Sequence, residues 1–179
     1  MLIDRWVVAA LMAAIIYPAS CASAQAGDAS GIEKDSRTFV QSFYKWYLTN
    51  PRSDRACKDK ASSFSPELLK QLNDDYAASQ KSKDEVVGLD FDPFLNTNAE
   101  PHAKYIASKV TKKNHNYLVQ VDGSGGNRAD HTRIIPEVAW KTGKAQFVNF
   151  HYDGFKAPDD NLLSILKTLR NNRVKDGIK

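Results

Sequence analysis

"TRIIPEVAWKTGKAQFVNFHY", residues 132–152, decides the fold. Its two halves, "TRIIPEVAW" and "AQFVNFHY", carry side chains of strand character with a period of two. The tight turn at Thr142-Gly143 lies between them, so the segment reads as a β-hairpin. Pro136 has no N–H to give to a ladder, which places its strand at a sheet edge or at a bulge. Upstream, "AKYIASKVT" and "NYLVQVD" alternate in the same way around a turn at Lys112–Asn116 and form a first hairpin. "GSGGNRAD", residues 123–130, reads as a flexible glycine-rich connection between the two. Four antiparallel strands are expected.

Before Pro101 the period is helical. "SRTFVQSFYKWYL" puts Phe39, Val40, Phe43, Trp46 and Tyr47 on one stripe at spacings of three and four, and Asn50-Pro51 breaks the helix. Such an aromatic stripe is expected to face a core. "FSPELLKQLNDDYAASQ" opens with Ser65 as a cap, Pro66 at the first helical position and Glu67 at the positive end of the dipole. Leu69, Leu72 and Tyr76 are its expected apolar face, and "KSKDE" after it is a solvated charge run. The chain closes with "APDDNLLSILKTLRNNR". There Pro158, Asp159 and Asp160 belong to a first turn, Leu162, Ile165, Leu166 and Leu169 face inward, and Arg170 and Arg173 suit the negative dipole end. The fold class is therefore α+β: N-terminal helices and a C-terminal helix packed on a curved four-stranded antiparallel sheet. One domain spans 35–175, and residues 27–34 read as a flexible tail.

The N-terminus supplies an address. A short charged start, the apolar run "WVVAALMAAIIYPA" and the small residues "SCASAQAG" have the order of a secretory signal peptide over residues 1–26. The run is short of the roughly 20 residues that a spanning helix needs. Ala24-Gln25-Ala26 fits cleavage before Gly27. The alternative is a lipoprotein anchored at Cys21, although Pro18 stands where its recognition box usually has leucine. The expected location is the periplasm, with membrane association only if Cys21 is lipidated. Cleavage leaves about 150 residues, a size that buries roughly 70% of the unfolded chain's surface. The formal net charge of +4 is kept, because Asp4 and Arg5 cancel. In that compartment the charge points to lipid headgroups, acidic cell-wall polymers or an acidic protein, not to nucleic acid. Cys57 is then the single cysteine, with no Cys-x-x-Cys context and no nearby histidine to activate it.

Four pieces of the chain, "FVQSFYKWYL", "LDFDPFLNTNAEP", "EVAWKTGKAQFVNFHYDG" and "LLSILKTLRNN", resemble a family of small bacterial envelope proteins. It is a domain family of unknown function that includes the enterobacterial lipoprotein YbjP. The resemblance covers most of residues 36–173 and is most specific at Asp92-Pro93-Phe94 and at the second hairpin. It implies a cystatin-like or NTF2-like cone, helices cradled by a bent sheet. It carries over neither a disulfide nor any catalytic residue.

No catalytic constellation, metal site or cofactor is read from the residues. His102, His115, His131 and His151 lack the short spacings of paired ligands. Asp90 and Asp92 alternate in "GLDFDPFLNTNAEP" and are candidates for a cation or acid–base chemistry, but Asp92-Pro93 with Phe94 reads better as a structural clasp. Tyr105, Tyr117 and Trp140 are candidates to line the concave sheet face and take a small apolar ligand. Lys112 and Lys113 make the first hairpin basic, either as a contact surface or as protection of a sheet edge. The expected function is an exported, non-catalytic binding or accessory protein of the envelope, of inhibitor or immunity type, with an unidentified envelope protein as partner. The alternatives are a small-molecule-binding protein, or a hydrolase or isomerase using an acid or tyrosine of the sheet pocket.

Overall fold

The computed structural model describes residues 29–81, 87–127, 131–152 and 161–177. The signal segment 1–26 with Cys21, most of "KSKDE", and Pro158, Asp159 and Asp160 lie outside the described residues. Helix α1 (Ala29–Tyr47) is followed by the short α2 (Ser53–Asp59), a 3-10 turn (Ala61–Ser63) and α3 (Pro66–Lys81). Four strands follow, β1 (Lys104–Lys113), β2 (Asn116–Ser124), β3 (Thr132–Lys141) and β4 (Lys144–Tyr152), and then α4 (Leu162–Lys175). The strands form one antiparallel sheet in the order β1-β2-β3-β4. The fold is α+β, with α4 packed against both helices and sheet.

Helix α1 starts at Ala29, so most of the stretch read as a tail is helical. Ile32 and Ser36 extend the apolar stripe backwards from Phe39 and Val40, and that continuity holds the first turns on the sheet. The Ser36 hydroxyl donates to the Ile32 carbonyl at 2.7 Å and accepts from Trp140 Nε1 at 2.8 Å, tying α1 to β3. Phe43 is the hub of the core. It stacks on Tyr47 at 5.6 Å and meets Phe64, Phe94 and Phe147 edge-on at 5.9, 5.5 and 4.9 Å. Each such pair adds about 0.5–1.5 kcal/mol beyond the area it buries.

Helix α3 starts as its sequence predicts, with Ser65 Oγ accepting from Leu68 N at 3.3 Å and Pro66 at the first position. Its buried face is Leu68, Leu72 and Asp75, while Leu69 is only half-buried. The expected face is thus rotated by one residue, because α4 also packs on this helix. The closing helix begins at Leu162, capped by the Asn161 side chain, which accepts from Ser164 N. Leu162 and Leu166 are buried, as is Arg173, expected from sequence to suit the negative dipole end. Instead its guanidinium meets Asp75 at 2.5 Å and donates to the Val87 carbonyl at 2.8 Å. The other Asp75 oxygen accepts from Leu89 N at 2.9 Å. Gly88 is held between these contacts, and a Cβ there would run into Ser79 and lie 2.8 Å from the Asp75 carboxylate.

Two irregularities shape the sheet. Between Ala107 and Val110 strand β1 carries one extra residue relative to β2, and opposite Glu137–Val138 strand β4 carries an extra Val148. Each bulge shifts the alternation by one, so Ala107 and Val110 share the inner face, as do Phe147 and Phe150. Pro136 lies beside the β3–β4 bulge, but β3 is an interior strand, not an edge. The missing N–H falls where the paired positions of β2 and β3 skip from Leu118–Glu137 to Val121–Ile134. Strand β2 runs through Gly123 and Ser124, so the first two residues of the expected glycine-rich connection are ladder. Gly123 is required there, since a Cβ would come within 2.7 Å of both His102 and Tyr105.

Candidate functional site

The inner face of the sheet is filled by α1 together with Phe64 and the Phe94 turn. Tyr105 is 2% exposed and stacks on Tyr44 at 5.6 Å, with the ring planes 14° apart. Tyr117 is buried, and Trp140 is half-buried with its indole N–H bonded to Ser36. The three aromatics proposed from sequence to line a ligand cup are therefore parts of the packed interior. Alternation gave their face of the sheet correctly. It carried no information that α1 lies on that face.

Asp92 sits at the centre of a closed hydrogen-bond set. Its Oδ1 accepts from Phe94 N at 2.9 Å and Leu95 N at 3.1 Å, and its Oδ2 accepts from the Tyr47 hydroxyl at 2.5 Å. Asp92 N donates to the Thr97 carbonyl at 2.7 Å. Tyr44 and Tyr152 donate to the carbonyls of Phe94 and Pro93 at 2.8 and 2.9 Å, so the whole turn is held by the core. Phe94 is fully buried. Burial raises the Asp92 carboxyl above its ordinary value, opposed by the Tyr47, Phe94 and Leu95 hydrogen bonds. Burial, with the Asp92 charge beside it, raises the Tyr47 hydroxyl as well. Asp90, by contrast, is exposed. The two aspartates flank an open groove of about 450 Å³ that also touches Arg52, Asp54, Leu95 and Thr97.

A second polar group lies on the outer sheet face and was not singled out by sequence. Glu137 Oε2 meets His151 Nε2 at 2.8 Å, and Glu137 Oε1 accepts from Asn116 Nδ2 at 2.5 Å. The His151 hydrogen bond holds the Glu137 carboxyl below its ordinary value, against burial, which raises it. Cross-strand neighbours on one face of a sheet produce this cluster, and it borders a groove of about 450 Å³ with Lys141 and Asn149. His102 is buried with Nε2 on the Thr132 hydroxyl at 3.0 Å, whereas His115 and His131 are exposed. Among the described residues no three or more His, Cys, Asp or Glu gather where they could hold a metal ion. Cys57 is buried, and burial pushes its thiol up to about 12.

The basic hairpin occupies the edge of the sheet. Lys112 pairs with Tyr117 and Lys113 with Asn116, so the two lysines project to opposite faces at the hairpin tip, both exposed. The two sheet edges are finished differently. On β4, Ser65 N donates to the Phe147 carbonyl at 2.8 Å, and Asn161 bridges His151. On β1, Gln41 of the helix takes the role of a neighbouring strand: its Nε2 donates to the Tyr105 carbonyl at 3.1 Å and its Oε1 accepts from Ala107 N at 2.8 Å. That clamp stops at the bulge. Beyond it, the edge carries Lys109, Lys112 and Lys113.

No protein-family model, curated protein or solved structure matches this chain.

Proposed function

We propose that this is an exported, non-catalytic accessory protein of the bacterial envelope, periplasmic after loss of residues 1–26, that works by binding a protein partner. One observation carries the reading: the inner face of the sheet, where a protein of this layout would hold a small ligand, is packed by its own helix. A small apolar ligand would have to displace the Tyr44–Tyr105 stack and the Phe43 cluster. Asp92, whose carboxyl burial raises, spends its lone pairs on two backbone N–H groups and Tyr47. Both grooves of about 450 Å³ are open surface features, which suit contact with another protein more than enclosure of a substrate. The resemblance to the envelope family and the N-terminal "WVVAALMAAIIYPASCASAQAG" support the location.

The test combines two measurements on protein exported by a bacterial host. Intact mass should match a chain starting at Gly27 without lipid, and a lipid on Cys21 would replace the periplasmic assignment with a membrane-anchored one. Capture from envelope extracts should retain one stoichiometric protein. Native mass spectrometry that instead finds a small molecule bound inside the purified domain would overturn the reading.

A further inference from the structure

We propose that the free half of the β1 edge, Val110 to Lys112, is a strand-addition site for an extended, acidic segment of the protein partner. This rests on the binding reading above and says where and how that partner docks. Antiparallel pairing sends the backbone groups of alternate residues towards the neighbour and towards the open edge. Gln41 shows that Tyr105 and Ala107 point their polar groups outward, because its amide bonds both. The bulge after Ala107 shifts the phase by one residue. The outward-facing groups further along are therefore those of Val110 and Lys112, while Thr111 and Lys113 face β2. Among the described residues no strand, bridge or side-chain amide takes up these groups. The β4 edge, by contrast, is occupied at Phe147 and His151.

A docking strand needs space and a matching charge as well as free backbone groups. A hollow of about 280 Å³ lies between α1 and this part of β1, lined by Glu33, Lys34, Arg37, Ser108, Lys109 and Val110. Its charge is three cations against one anion, and Lys112 and Lys113 extend the positive strip along the tip. A segment with carboxylates at alternate positions places them beside Lys34, Arg37 and Lys109 while its backbone pairs with Val110 and Lys112. A second copy of the same edge would set these lysines against each other, which disfavours self-pairing.

A short alternating valine–glutamate peptide is the probe, with a valine–lysine peptide as its control. Amide hydrogen exchange in the purified protein should show Val110 and Lys112 open when free and slowed on adding the acidic peptide, with no effect of the basic one. Lys112→Pro removes an outward N–H without taking a β1–β2 hydrogen bond and should abolish binding, whereas Lys112→Ala should retain most of it. Arg37→Glu with Lys109→Glu leaves the backbone intact and should weaken binding about tenfold, largely through slower association. Thermal melting matched to wild type shows that each variant is folded. Three results would overturn the site: no slowing with peptide, amides already protected in the free protein by its own N-terminal residues or by a second copy, or peptide bound equally by Lys112→Pro and by the charge-reversed variant. An envelope partner held equally by wild type and Lys112→Pro would sink the edge site while leaving the binding reading in place.

Discussion

Replacing Arg173 with methionine should destabilise the fold more than any exposed charge substitution, although both are single surface-type residues by sequence. The guanidinium is 9% exposed and Asp75 1%, and the pair is closed by Leu89 N on the carboxylate and the Val87 carbonyl on the guanidinium. Removing one partner leaves the other charge buried without its counter-ion, which costs about 3–5 kcal/mol. At about 2–4 °C per kcal/mol for a domain of this size, the melting temperature should fall by about 6–20 °C. Exposed pairs such as Lys70–Asp74, with side chains 69% and 45% exposed, should cost no more than about 1 kcal/mol when broken. The double variant Asp75→Leu with Arg173→Met removes both charges and should recover most of the loss, because a well-packed apolar pair replaces a buried ionic one at little cost. Urea unfolding followed by circular dichroism gives the cycle, and hydrogen exchange at Leu89 reports the local contact. A loss below about 1 kcal/mol for Arg173→Met, or a double variant as unstable as the single one, would refute this account.

Further outcomes follow from the clasp and the core. Phe94→Ala should cost about 3–5 kcal/mol in urea unfolding, since the ring is fully buried among Phe43, Tyr47, Phe64 and Phe150. Asp92→Asn should cost only about 1 kcal/mol, because the amide oxygen still accepts from Phe94 and Leu95. Its pH dependence has a definite sign. A carboxyl raised by burial favours the folded state when protonated, so that contribution is full below the ordinary value of 3.8 and fades as pH rises through the folded value. The wild type's advantage over Asp92→Asn should therefore shrink with rising pH above that point, and an advantage that grows would show the hydrogen bonds outweighing burial. Cys57, its thiol pushed up to about 12 by burial, should resist alkylation at neutral pH in the folded protein and react promptly in urea. Prompt labelling of the folded protein would place it in a more open environment.

The strands were legible because their signal is local: Tyr117, Val119, Val121 and Gly123 alternate inward along β2 without interruption. The bulges were less so, since each replaces a two-residue spacing by three, and only Pro136 marked one of them. Alternation also fixes a face without saying what covers it, which is why Tyr105 and Trp140 read as pocket residues and are core. The Asp75–Arg173 pair joins positions 98 apart, and no periodicity reaches that far. A signal did exist in each helix separately. Asp75 continues the Leu68 and Leu72 stripe and Arg173 continues the Leu162, Leu166 and Leu169 stripe, so two opposite charges occupied core positions. The clasp at Asp92 was legible because its chemistry is short-range, a carboxylate capping the N–H groups two and three residues on. The Glu137–His151 pair was not, because cross-strand register decides it.

Lysines on a sheet edge serve negative selection and recognition through the same Coulomb term. Antiparallel pairing of two β1 edges would bring Lys109 and Lys112 of one copy against the same residues of the other, and like charges placed opposite each other oppose the ladder. An acidic strand meets the same lysines with the sign reversed. The fold closes four other edge positions without charge, Phe147 and His151 on β4 by Ser65 and Asn161, and Tyr105 and Ala107 by the neutral amide of Gln41. Uncharged closure is thus available to this architecture, and among the described residues no bridge or side-chain amide supplies it over Val110–Lys112. If edge protection were the whole purpose, replacing Lys109 and Lys112 with glutamate would protect as well, because two acidic edges also repel. Recognition predicts a difference. The glutamate variant should stay monomeric by sedimentation, like wild type, yet lose the acidic peptide and gain the valine–lysine one. A variant that stays monomeric and leaves peptide preference unchanged would show that the charge guards the edge and selects nothing.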